Sequence, residues 1–475
     1  MNVLIVNTNR YCNPVPVIPL GSCLVAESIE KAGHHVRFLD LLFECDPACA
    51  LESELSKATP DVVGLSVRNI DNNDMQHPVA FFSDLAPMVK LVRSRTQAII
   101  VLGGAAVGVM PEELLRYTGT DYTVIGDGEI VFPGLLETLS SGGVVECVNG
   151  IAWLGDGVFK SNTNYVSRFS DGCSVPDFSR WICIKDYLTR LSTVPIQTKL
   201  GCHFRCVYCT YRKIEGHDYR LCNSDSVVDA IVYLAKKGLR DIEFVDNVFN
   251  SPYEHAMAVC EGIARVQPQV RLQSIELNPL FVDDNLITAM ERAGFVAIGI
   301  TVESASDVVL KKLNKGFTAN DVYNAAHVVR RHRMPCIWIF MLGGPGETEE
   351  TVCETLQFAE RCIRPSDAAF FNIGLRIYPG TELENIARKE GILMLSPQEM
   401  LEPVFYISPA LDYEWLTNTV RAALAQHMNY IGSDTIGLSL LPKLNRLAHK
   451  LGVRPPLWKH SRSVRRMLRL IGMDV

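Results

Sequence analysis

The chain has 475 residues, 46 of them basic and 53 acidic, a formal net charge of −7 and 48% apolar content. That length implies about three domains with ordinary cores, and the acidic balance gives no reason to expect nucleic acid as a partner. No apolar stretch reaches the roughly 18 residues of a membrane span, and no charged-then-apolar signal segment precedes the strand-like run Val3-Leu4-Ile5-Val6, so a reducing cytoplasm is the expected setting.

Residues 1–142 alternate β-rich runs with helical stretches. Val3–Val6, His35–Leu39, Val62–Ser66, Ile99–Leu102 and Tyr122–Ile125 are predicted strands, and Gly21–Ala32 is a predicted helix that stops at Gly33. Such alternation implies an α/β fold with a Rossmann-like, doubly wound parallel sheet, which binds ligands at the carboxyl ends of its strands. The loops expected there contain Asn9, Ser66, Asn69, Asp71, Asn72, Gly103, Gly104, Gly126 and Glu129. Glycines also permit tight turns, and Asn and Asp also cap helices, so these loops alone do not identify a ligand. Residues 143–193 read as a connector without recognisable chemistry, containing a hairpin that turns at Gly155-Asp156-Gly157.

Three cysteines follow in the run Gly201-Cys-His-Phe-Arg-Cys-Val-Tyr-Cys-Thr210, namely Cys202, Cys206 and Cys209. Their C-x3-C-x2-C spacing lets one loop hold three corners of a [4Fe-4S] cluster while the fourth iron stays open for chemistry. Zinc competes, with His203, His217 and Cys222 nearby, although no second ligand pair follows at the usual interval. A disulfide suits a reducing compartment poorly. The remaining cysteines are scattered and read as small buried hydrophobes. Tyr211, Arg212, His217, Tyr219 and Arg220, just beyond the loop, read equally as substrate-facing groups and as surface or capping residues.

Residues 194–391 repeat strand and helix again. Ile242–Val245, Leu272–Leu277, Val296–Val302, Cys336–Met341 and Ala368–Ile377 are predicted strands, separated by helices such as Ser226–Lys237 and Ala319–Arg331. This interval suggests a partial barrel of parallel strands with its functional groups at the strands' carboxyl ends. Asp246 and Glu303 follow apolar strands at that mouth, whereas Glu347 and Thr348 open a helix and read as caps. Residues 392–475 form a helical C-terminal region with Tyr413–Tyr430 as one helix. In its basic end Arg462, Arg465, Arg466 and Arg469 alternate with Val464, Met467, Leu468, Leu470 and Ile471. Docking of this amphipathic helix on the rest of the chain is the leading reading, and peripheral membrane contact is the alternative.

The three-cysteine motif, with Tyr208 just before its last cysteine, resembles the signature of the radical S-adenosylmethionine (radical SAM) superfamily. The resemblance implies that the open iron binds the amino and carboxylate groups of SAM, and that one electron, from a donor such as flavodoxin or ferredoxin, cleaves SAM to a 5'-deoxyadenosyl radical. Gly299–Ser304 resembles the segment that binds the ribose of SAM, and Val245-Asp246-Asn247 stands where a Gly-Gly-Glu-type motif often grips its amino group. Tyr208, Asp246, Glu303 and Ser304 are therefore the expected SAM contacts. The Rossmann-like domain before the motif is similar to that of the subclass with an N-terminal cobalamin-binding domain, although the Asp-x-His-x-x-Gly signature is missing. On that resemblance Asn9, Ser66, Asn69, Gly103, Gly104, Gly126 and Glu129 are the expected cobalamin contacts.

The expectation is thus a radical SAM enzyme acting on an unactivated carbon of a small molecule, with cobalamin-dependent C-methylation in secondary metabolism as the leading outcome. Two alternatives stay open: cobalamin-independent dehydration, rearrangement or oxidation, as in a diol dehydratase of aminoglycoside biosynthesis, and a non-catalytic cobalamin- or metal-binding regulator.

Overall fold

Aliphatic and β-branched runs bounded by Gly, Asn and Asp become the strands of two large sheets. The computed structural model describes residues 1–162, 173–433, 437 and 440–470. In the N-terminal half β1 (Asn2–Asn7), β2 (His35–Asp40), β3 (Val62–Ser66), β4 (Ile99–Gly103), β5 (Tyr122–Val124), β6 (Ile151–Gly155) and β7 (Val158–Asn162) form one sheet in the order β2-β1-β3-β4-β5-β6-β7. The first five are parallel and the last two antiparallel. Helices Leu20–Lys31 and Gly128–Ser141 pack together on one face, and Pro47–Lys57 and Leu85–Arg95 on the other. The two-residue period of β1 serves both faces, with Val3 and Ile5 in one core and Leu4 and Val6 in the other.

The expected hairpin forms, but not as a connector. It extends the N-terminal sheet through pairing of β5 with β6, so the boundary expected at 142 falls inside the domain. Nothing at Gly142 ends the sheet, because Thr123 and Val124 still offer an unpaired edge that β6 covers.

The second sheet is built from β8 (Val194–Ile196), β11 (Asp241–Phe244), β12 (Arg271–Leu277), β13 (Phe295–Glu303), β14 (Cys336–Leu342), β15 (Ala368–Ile373) and β18 (Tyr430–Gly432). All seven are parallel, in the order β18-β15-β14-β13-β12-β11-β8. Two small antiparallel pairs complete the set, β9 (Lys199–Leu200) with β10 (Arg220–Leu221) and β16 (Leu375–Arg376) with β17 (Phe405–Tyr406). The strand expected over Ala368–Ile377 is broken at Gly374, which has a left-handed φ of 80°. The boundary expected at 391 also shifts. The predicted helix ends at Gln426, and Tyr430–Gly432 returns to the sheet as its edge strand beside β15.

Polar contacts between the halves include one buried ion pair and two part-buried contacts. Arg376 donates from Nε to Asp71 Oδ2 at 2.7 Å and from Nη2 to the Met400 carbonyl at 2.7 Å, with both side chains of the ion pair almost completely buried. Arg220 forms a two-pronged pair with Asp127, and the Tyr187 hydroxyl donates to Asp40 at 2.7 Å.

At the C-terminus the basic helix Ser461–Leu470 docks on the chain. Arg465 is buried, and its guanidinium donates to the carbonyls of Leu424, His427 and Tyr430 at 2.9, 2.9 and 2.5 Å, where helix Tyr413–Gln426 ends. A cation at that end satisfies carbonyls left open by the helix and complements its dipole. The side chains of Met467, Leu468, Arg469 and Leu470, and all of Ile471, lie outside the described residues.

Candidate functional site

The three-cysteine loop begins directly after β9, between the two strands of the small β9–β10 pair. Gly201 opens it at φ 85°, where an added Cβ would meet the Asp218 carbonyl oxygen at 2.1 Å, so only glycine fits. The Val207 amide donates to the Leu313 carbonyl at 3.1 Å, Cys202 N to Gly216 at 3.3 Å and Cys209 N to Cys206 at 3.2 Å. Cys202 is buried, and Cys206 and Cys209 are half-buried. Burial raises the Cys202 thiol and lifts Cys209 to about 12. Metal binding at this loop therefore releases protons and grows stronger as pH rises.

Among the described residues no three His, Cys, Asp or Glu side chains gather to hold one metal ion. A cubane asks for something else, a separate thiolate on each of three irons. Three thiols from one loop, with no fourth beside them in the motif, fit that donor set.

Next to the loop a buried triad takes shape. Tyr208 donates its hydroxyl to Glu303 Oε1 at 2.7 Å, and Lys315 Nζ reaches the same oxygen at 2.9 Å and the Tyr208 hydroxyl oxygen at 3.0 Å. Glu303 sits at φ 61°, beside a register shift that separates Thr301 from Glu303 against β14. A left-handed glutamate at a bulge is strained backbone that re-aims a side chain, as functional sites commonly do. Burial alone would lower the Lys315 ammonium, but Glu303, Cys206 and Cys209 outweigh it and hold it above its ordinary value. Tyr208 is raised by burial and by Glu303. Lys315 has no local motif and went unnoticed in the sequence. Glu276, at the end of β12, was missed for the same reason, and burial with Glu303 nearby lifts it to about 8.

Two expected SAM contacts do not belong with them. Asp246 is fully buried; its Oδ1 accepts from the Thr198 amide at 2.7 Å and its Oδ2 from the Thr198 hydroxyl at 2.7 Å and Lys199 Nζ at 3.4 Å. Both oxygens are used in tying β11 to the β8–β9 turn. Ser304 is equally buried, its hydroxyl paired with Thr355 at 3.0 Å. The groups after the loop also take structural roles. Arg212 bonds His217 at 3.0 Å, Tyr219 bonds Ser251 at 3.0 Å, and Arg220 is held by Asp127.

Between the domains lies a cavity of about 460 Å³, within the range of small-molecule sites. Asn9, Ser66, Gly103, Gly104, Gly126 and Glu129 all line it, together with Arg68 and, from the barrel side, Gln197, Glu215 and Val245. Asn69 does not line it; its neighbour Arg68 does. Gly64 lies at the cavity wall, and an added Cβ there would meet Phe132 at 2.7 Å and Ile5 at 2.8 Å. At Gly104, φ is 102° and the Val67 carbonyl would lie 2.4 Å from a Cβ. Bare glycine backbone at the strand ends, open to a cavity of this size, is the cradle a large planar cofactor needs.

After β14, at the same carboxyl ends of the strands, the capping reading of Thr348 matches the structure, since its hydroxyl accepts from the Thr351 amide in a capping box. Glu347 differs. It folds back to accept the amides of Gly343 and Gly344 through Oε2, while Oε1 has no partner among the described residues, and burial lifts it to about 7. A carboxyl raised from 4.5 to about 7 favours the fold at low pH and loses that contribution as pH rises through about 7. Glu347→Gln keeps an acceptor and removes the titration. Denaturation from pH 5 to 8 should therefore show the wild type falling relative to the variant by about 3 kcal/mol; parallel profiles would contradict this.

Fold and site together define a cluster-type partial-barrel enzyme fronted by a Rossmann-like domain that shares a ligand cavity with it. Residues 196–359 match the model of the radical SAM superfamily, and residues 11–136 match that of the B12 binding domain. The chain thus carries a radical SAM domain preceded by a B12-binding domain. It is 24% identical to an uncharacterised methyltransferase of Pyrococcus horikoshii, over 79% of this chain and 80% of that one. It is 23% identical to a tryptophan 2-C-methyltransferase of Streptomyces laurentii, over 79% and 73%. Among solved structures, the radical SAM methyltransferase TsrM of Kitasatospora setae, with cobalamin and a [4Fe-4S] cluster bound, superposes with a TM-score of 0.85 at 23% identity, covering 99% of this chain and 98% of that one.

Proposed function

We propose that the protein is a cobalamin-dependent radical SAM methyltransferase that places a methyl group on a carbon of a small molecule. One observation carries this reading: the cavity at the strand ends of the N-terminal sheet is closed on its other side by the domain that holds the three-cysteine loop. Cys202, Cys206 and Cys209 would hold the cluster, and Asn9, Ser66, Gly103, Gly104, Gly126 and Glu129 would hold cobalamin. When bound, cobalamin supplies a transferable methyl group, and SAM supplies both methyl groups and the radical precursor. The chain's own part is placement. Lys315 and Tyr208 both bond Glu303 Oε1 and aim its carboxylate, and the Arg220–Asp127 and Arg376–Asp71 pairs hold the two domains together around a site from which water must be kept.

A small-molecule acceptor is part of the reading, and the curated relatives include methylases of tryptophan and of a hopanoid. One-electron reduction by a flavodoxin- or ferredoxin-like carrier is part of the reading. So is a reducing, cytoplasmic setting, which the free cysteines support. Among the described residues no helix is long and apolar enough to cross a membrane, and peripheral contact through the basic C-terminal helix would have to do without Arg465, whose guanidinium is turned inward.

Gly103 provides the test. It lines the cavity, its φ is not left-handed, and an added Cβ would meet nothing closer than Val124 Cβ at 4.0 Å. Gly103→Leu should fold as the wild type does and fill the cavity. Titration followed by visible absorbance should show one equivalent of cobalamin on the wild type and at least tenfold weaker binding to the variant. Equal binding by the two would remove this cavity as the cobalamin site.

A further inference from the structure

The radical SAM reading requires an electron carrier, and the outer surface of the cluster loop shows where one would sit. Arg205 lies between two of the three cysteines and is exposed. The Asn314 side-chain amide donates to the Arg205 carbonyl at 2.9 Å, and Val207 N donates to Leu313 at 3.1 Å, so the loop lies directly against the end of helix Asp307–Lys312. Phe204 extends the contact, its ring 3.7 Å from where a Cβ on Gly316 would stand. Lys311 and Lys312, in the last turn of that helix, are both exposed.

Arg205, Lys311 and Lys312 have no ion-pair partner among the described residues. Lys311 and Lys312 complement the helix dipole, which accounts for two of the charges. It does not account for Arg205, which belongs to no helix. Nor is Lys315 part of this surface: it turns inward to Glu303. A chain of net charge −7 thus concentrates three unpaired cations on the outside of the loop whose inside carries the thiols.

We propose that this face, Arg205 with Lys311 and Lys312, is the docking surface for an acidic one-electron carrier protein. This rests on the radical SAM reading and adds a partner and a place to it. In the transfer the carrier loses one electron and is oxidised by one equivalent, and the cluster gains that electron; no atom moves. Opposite charge speeds encounter and aligns the carrier over the loop, so the rate should depend on salt. The short path follows from chain position, since Arg205 is the neighbour of Cys206.

The test uses reconstituted holoenzyme and fully reduced flavodoxin, an acidic protein, as the probe. Flavodoxin oxidation is followed by stopped-flow absorbance, and the reduced cluster by electron paramagnetic resonance, for wild type, Arg205→Gln and the Lys311→Glu/Lys312→Glu double variant. Dithionite replaces flavodoxin in a parallel series. The expected result is a drop of about tenfold or more with flavodoxin at low salt for the double variant, a smaller drop for Arg205→Gln, a gap that closes at high salt, and unchanged reduction by dithionite. Unchanged flavodoxin rates would overturn the docking surface, and so would equal losses with both reductants. If dithionite fails to reduce the wild type, the radical SAM reading itself falls and takes the docking surface with it.

Discussion

Replacing Lys315 with Met is expected to be among the most damaging single substitutions in the chain. The ammonium lies 2.9 Å from Glu303 Oε1, and both side chains are more than nine-tenths buried. Breaking a buried pair by removing one partner costs about 3–5 kcal/mol, because the remaining charge is left without compensation. Lys315→Met should also disturb function, since Lys315 Nζ holds Glu303 Oε1 at 2.9 Å and bonds the Tyr208 hydroxyl. SAM binding should weaken, because Glu303 loses the partner that aims its carboxylate. Lys315→Arg, which preserves the charge, should recover part of the binding. A purely structural lysine would lower stability and leave SAM affinity of the folded fraction where it was. That outcome would remove Lys315 from the site.

The second large effect is expected at the domain junction. Arg376→Met strands Asp71, which is fully buried, and deprives the Met400 carbonyl of its donor. The cost by chemical denaturation should again be about 3–5 kcal/mol. Adding Asp71→Leu should return much of it, because a pair replaced on both sides by apolar groups leaves no orphan charge. A double variant no better than the single would show that Arg376 acts through its carbonyl bonds and not through Asp71.

The contrast between Asp246 and Glu303 shows what the sequence conveys and what it conceals. Both carboxylates follow an apolar strand at the barrel mouth, and both looked like ligand groups. Strand parity separates them. Asp246 continues the alternation of Ile242 and Phe244, which are buried in the core, while its neighbour Val245 faces the cavity. Glu303 escapes parity because a bulge and a left-handed φ turn it toward Tyr208. No local pattern announces that bulge, and none connects Lys315 to a glutamate twelve residues earlier. The loops after β1, β3, β4 and β5 that carry Asn9, Ser66, Gly103, Gly104, Gly126 and Glu129 meet at one cavity because parallel sheets expose their strand ends in one place. Asn69 was misplaced within such a loop because the direction of each side chain depends on a turn that propensity does not specify. The hairpin expected over 151–160 forms but extends the sheet and is no connector, since the edge it covers lies 27 and 29 residues back in the chain, at Val124 and Thr123.

The most direct test of the account is anaerobic reconstitution of the full chain with iron, sulfide and cobalamin, followed by reduction in the presence of SAM and quantification of bound cobalamin and of the nucleosides formed. The account predicts stoichiometric cobalamin and formation of both S-adenosylhomocysteine and 5'-deoxyadenosine, with 5'-deoxyadenosine lost in Cys206→Ala. Release of 5'-deoxyadenosine with neither cobalamin nor S-adenosylhomocysteine would contradict methyl transfer, and 5'-deoxyadenosine formation that survives Cys206→Ala would contradict the cluster.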